Sequence, residues 1–93
     1  IGGGASLDMA GWAWDEKPIV NDKSAETGKI VFEVKIDDDG EVISVKNVYS
    51  TVSRGVAAAY EKAIYNLTFS PTVEGVSRPA VSTGKITFII TSR

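Results

Sequence analysis

Asp37, Asp38, Asp39, Gly40 and Glu41 form the densest group of chemically capable residues in this 93-residue chain. Carboxylates gathered around a glycine invite a calcium loop, which needs that glycine at its sixth position and carboxylates at its first and twelfth. With Gly40 as the sixth, those ends fall on Lys35 and Lys46. Both are cations, so the pattern fails, and a solvated hairpin turn accounts for the acids. Asp8, Asp15, Glu16, Asp22 and Glu26 could share acid and base work, but they fall in polar stretches with no sign of a buried pocket.

The chain has no histidine and no cysteine. That removes the imidazole base, thiol catalysis, disulfides and the usual zinc ligand sets, and leaves the serines without an activating partner. Gly2, Gly3 and Gly4 lack both the preceding strand and the following Gly-Lys-Ser/Thr of a phosphate cradle. Trp12 and Trp14 could form a stacking platform for sugars or bases; the simpler reading is that they cover one side of a small core. Asn66-Leu67-Thr68 matches a glycosylation acceptor, but it falls at the end of an expected helix. The reading is therefore of a protein that is not an enzyme and uses no cofactor or metal.

The net charge of −2 and the pI near 5.0 disfavour nucleic acid, because Lys and Arg are scattered singly and form no basic stripe. Hydrophobic content of 43% and charged content of 24% are ordinary for one folded domain. No apolar run approaches the roughly 20 residues needed to cross a bilayer. Residues 1 to 5 are expected to be a mobile linker remnant, and residues 6 to 93 the domain.

The elements that carry these residues are organised around residues 28 to 50. Ile30, Phe32, Val34 and Ile36 recur at period two with Glu33 and Lys35 between them, and Val31 alone breaks the alternation. Asp39-Gly40 suits a tight turn, and a second apolar run follows. A two-residue loop would set Ile36 opposite Ile43 and Val34 opposite Val45. The alternation then slips, which predicts a β-bulge between Lys46 and Val48 that returns Val48 inward.

A short strand is expected over residues 7 to 12 and a loop over 15 to 27, with a turn of helix around 22 to 26. Ser53 is the N-cap candidate for a helix over 54 to 66, whose Val56, Tyr60, Ala63, Ile64 and Leu67 share one face. Residues 68 to 71 are extended, and residues 72 to 82 read as a loop or frayed strand. Ile86, Phe88 and Ile90 alternate in a closing strand over 85 to 91. The fold class is α+β: a small, mainly antiparallel β-sheet with one long α-helix packed on one face. A closing strand at the sheet edge would let an extended peptide bind by strand addition.

This order of signals resembles the C-terminal domain of TonB, the energy transducer of Gram-negative cell envelopes, in its Bacteroidetes-like form. The resemblance rests on Gly28, on Ile30-x-Phe32-x-Val34-x-Ile36, on Asp39-Gly40, on Val42 with Val45, and on Ser50. Leu67-x-Phe69-x-Pro71, Gly75 and Ile86-x-Phe88-x-Ile90 continue it, and Leu7-x-x-Ala10-Gly11 with Lys17-Pro18 lie upstream. Where the family shows Tyr-Pro this chain has Lys17-Pro18, and its segment from 71 to 83 is longer than in the shortest members.

The resemblance implies a ββαβ core plus an N-terminal strand, in a periplasmic domain tethered to the inner membrane and driven by ExbB and ExbD. It would bind the TonB box of a TonB-dependent outer-membrane receptor by β-augmentation and transmit force for active uptake. Carried over, the pairing edge is Gly84, Lys85, Ile86, Thr87, Phe88, Ile89, Ile90 and Thr91, with Lys17 and Pro18 flanking. The alternative is a TonB/TolA-like scaffold domain that self-associates, as a homodimer, through the same edge.

Overall fold

The computed structural model describes residues 2–20, 25–75 and 77–91. Its frame is an antiparallel hairpin of β3 (Gly28–Asp37) and β4 (Val42–Ser50). Ile30, Phe32, Val34 and Ile36 are fully buried while the residues between them are half-buried, as period-two alternation requires of a strand with one face on a core.

The turn has three residues, Asp38, Asp39 and Gly40, where two were expected. The Asp37 amide donates to the Glu41 carbonyl at 2.9 Å, and the Gly40 amide to the Asp37 carbonyl at 3.1 Å. Asp37 Oδ1 accepts from the Asp39 and Glu41 amides at 2.9 and 3.0 Å, so the first acid holds the turn in shape. A longer loop alone would move Val34 opposite Ser44. Instead the register shifts once between Lys35 and Ile36, so that Ile36 faces Val42 and Val34 still faces Val45. The unpaired Ile43 is half-exposed. A second shift leaves Val48 unpaired between Asn47 and Tyr49. That bulge lies where the sequence predicted it, but Val48 points outward and remains exposed.

The helix α1 (Arg54–Tyr65) begins at Ser53, whose Oγ accepts from the Val56 amide at 3.4 Å. The Glu26 carboxylate takes the Ser53 amide and hydroxyl at 2.7 and 2.6 Å, which ties the loop before β3 to the helix start. Ala57 and Ile64 are buried, and the Tyr60 ring lies 4.8 Å from that of Phe88. Each large side chain removed from water here contributes about 1.5–3 kcal/mol. Residues 25 and 26 are irregular, and the rest of the helical turn expected at 22 to 26 lies outside the described residues.

The closing strand β6 (Val81–Thr91) starts four residues before the expected boundary, and it is not an edge. The sheet order is β1-β6-β3-β4, where β1 is Gly2–Asp8. The glycines expected to form a mobile linker are thus paired: Gly2, Gly3 and Gly4 lie opposite Thr91, Ile90 and Ile89. A chain without side chains has no apolar period to betray a strand, but its backbone can still complete a ladder. The strand expected over 7 to 12 is split by a turn at Ala10 and Gly11, which separates β1 from β2 (Trp12–Trp14). β2 pairs with β5 (Phe69–Pro71) in a separate small sheet.

Candidate functional site

Strand β6 holds the residues expected to recruit a partner, and both of its sides are occupied. Along one side, β3 pairs from Gly28 opposite Ile90 to Asp37 opposite Val81. Along the other, β1 covers Lys85 to Thr91. Of the predicted edge, only Gly84 lacks a β1 partner, and there the chain approaches closely: a Cβ on Gly84 would meet the Met9 side chain and the Asp8 carbonyl. Lys17 is exposed and Pro18 half-buried in an irregular segment after β2, and among the described residues no hydrogen bond joins either to β6.

The occupant of the β6 edge is unusual. Ile86, Phe88 and Ile90 point into the core, opposite Leu7, Ala5 and Gly3. Only Ala5 and Leu7 give β1 an apolar grip on that core. Glycine in a strand loses more entropy on ordering and has nothing to pack, so β1 is weakly anchored for its seven paired residues. On the open face of the sheet, a Cβ at Gly4 would meet nothing within 4 Å.

The two true edges differ in character. The free side of β4 is interrupted by two register shifts, which bend and twist a strand and discourage a further one from pairing. The ladder of β1 runs without a shift. The unbroken edge of this sheet is therefore that of β1, beside β6.

The acidic turn serves the fold. The carboxylates of Asp37, Asp38 and Asp39 lie within 4.8 Å of one another, but Asp37 Oδ1 is already committed to two backbone amides. Gly40 is buried, and its carbonyl accepts from the Phe69 amide at 2.9 Å, so the turn leans on β5 rather than standing free in water.

Asp15 does comparable work between β2 and β5. Its carboxylate accepts from the hydroxyls of Ser70 and Thr68, both at 2.6 Å, and these bonds hold its pKa below the ordinary value. Trp12 is buried and donates from Nε1 to Ser82 Oγ at 3.0 Å, while Trp14 is half-buried; they pack on the core and do not form an open stacking surface. Comparison with protein-family models, with curated proteins and with solved structures finds no match to this chain.

Proposed function

We propose that the domain captures an extended segment of a partner protein on the β6 edge, in the place that β1 fills, and bears load through that ladder. The observation that carries this reading is the β1 register itself. The β6 edge takes up a glycine-rich, poorly anchored segment in an unbroken antiparallel ladder. A partner strand with β-branched or larger side chains at the positions of Gly3, Ala5 and Leu7 would bury more apolar surface against Ile90, Phe88 and Ile86. The interstrand bonds run across the strands, so a pull along the captured segment loads all of them together.

The partner class follows from the TonB resemblance. The segment is the TonB box of an outer-membrane receptor, and the work is force transmission for active uptake. Under this reading the domain is periplasmic, tethered to the inner membrane, and coupled to ExbB and ExbD through an N-terminal segment. The order of hairpin, helix and closing strand, with the closing strand beside β3, supports it.

Titration of the labelled protein with a receptor peptide tests the reading by amide shifts. Capture on β6 moves the amides from Ile86 to Thr91 and removes the exchange protection of β1. Shifts confined to β4 would place capture on the wrong edge, and none at millimolar peptide together with concentration-dependent dimerisation would favour the scaffold function instead.

A further inference from the structure

Beyond the end of β1, the turn at Ala10 and Gly11, the residues after β5 and the approach to β6 enclose a cleft of about 290 Å3. The buried Trp12 indole lines it, and because its Nε1–H is taken by Ser82 the ring offers only apolar surface. Pro71, Val73 and Pro79 supply further apolar wall, and Val73 is 60% exposed. Arg78 brings the one cationic group in this lining. Its Cζ lies 5.9 Å from the centre of the Trp12 ring, and its Nε donates to the Asp38 carbonyl at 3.0 Å. That bond and the ring contact fix the guanidinium, while its terminal nitrogens bond to nothing among the described residues.

We propose that this cleft binds the C-terminal residue of a peptide, with its apolar side chain against Val73 and the two prolines beside the rim of Trp12, and its carboxylate on the Arg78 guanidinium. Size, charge and polarity all point this way. The volume lies at the lower bound of ligand pockets and accommodates a single residue. A guanidinium held on one edge keeps its remaining N–H groups for the planar, two-oxygen geometry of a carboxylate. The exposed Asp38 and Asp39 on the neighbouring turn disfavour a polyanion more than a single carboxylate.

The Thr72 and Ser77 hydroxyls line the same cleft and have no partner among the described residues, so they are available to the peptide's last amide; a hydrocarbon tail would leave them unused. This site reaches β6 only at Ser82, outside the stretch from Lys85 to Thr91 that β1 covers, and its test does not depend on strand capture.

The experiment follows the Trp12 indole N–H resonance, assigned with Trp14→Phe, during titration with N-acetyl-Gly-Leu, its C-terminal amide, octanoate and inorganic phosphate. The free acid is expected to shift the Trp12 signal saturably and to bind on the order of tenfold more tightly than the amide. Octanoate and phosphate are expected to bind more weakly than the acid. Arg78→Gln, checked for a dispersed spectrum, should abolish the preference of acid over amide, and Arg78→Lys should retain only part of it. Equal binding of acid and amide by the unaltered protein would overturn the proposal. So would octanoate matching the acid, or no Trp12 shift at about 20 mM acid.

Discussion

Ala5 sits directly opposite Phe88 in the ladder that joins β1 to β6, and it is one of only two side chains that give β1 an apolar hold on the core. The other is Leu7, opposite Ile86. Toward its N-terminal end the same strand sets only Gly3 opposite the buried Ile90, while Gly2 and Gly4 fall on the open face opposite Thr91 and Ile89. The sheet is completed by its least committed member, and that asymmetry underlies the functional reading.

The core itself is expected to be intolerant. Phe32 is fully buried and meets Phe88 edge-on, with ring centres 6.0 Å apart. Phe32→Ala should cost about 3–5 kcal/mol, and Ile64→Ala about 2–5 kcal/mol, measured by urea unfolding. An exposed control, Val73→Ala, should stay within about 0.5 kcal/mol.

Gly40 and Gly75 separate backbone strain from steric conflict. Both have positive φ, 84° and 78°, but a Cβ at Gly40 would run into the Phe69 carbonyl whereas one at Gly75 would meet nothing. Gly75→Ala should lose about 1–2 kcal/mol from strain alone. Gly40→Ala should lose more, because the contact between the turn and β5 must open as well. Equal losses in thermal unfolding would show that the Phe69 contact does not matter.

The depressed pKa of Asp15 gives the stability a pH dependence. A carboxyl whose pKa is lower in the folded state stabilises fully above its unfolded pKa, and that contribution is lost as pH falls through the folded value. Its causes are the hydrogen bonds from Ser70 and Thr68. Urea midpoints should therefore fall more steeply between neutral and strongly acid pH in the unaltered protein than in Asp15→Asn. Parallel curves would mean that the link between β2 and β5 does not respond to this proton.

At the helix start, Ser53→Ala removes the bond to the Val56 amide and the hydroxyl bond to Glu26. A loss of about 1 kcal/mol is expected, read from urea unfolding.

Much of the frame was legible because it is written in side chains. The alternation of Ile30, Phe32, Val34 and Ile36, the cap at Ser53 and the helical spacing through Ile64 each name an element. Sheet order is not written that way. Ile86, Phe88 and Ile90 alternate alike in an edge strand and a central one, and the strand that makes β6 central begins with residues that have no side chain to read. The hairpin turn was missed for a related reason. Parity arithmetic assumes an unbroken ladder, and here a longer turn and the bulge at Ile43 cancel, keeping Val34 opposite Val45.

The candidate cleft was missed because Arg78 and Trp12 are far apart in sequence and meet only once the segment before β6 folds back over the turn after β1.

The central claim is that β1 competes with an incoming strand for the β6 edge, so the affinity of a receptor peptide should depend on how firmly β1 is held. Leu7→Ser loosens that hold without touching β6. The decisive measurement is the dissociation constant of one receptor peptide for the unaltered protein and for Leu7→Ser, in parallel titrations. Exchange of β1 predicts binding roughly tenfold tighter to the variant, since part of the cost of displacing β1 is removed. Unchanged or weaker binding would contradict the account.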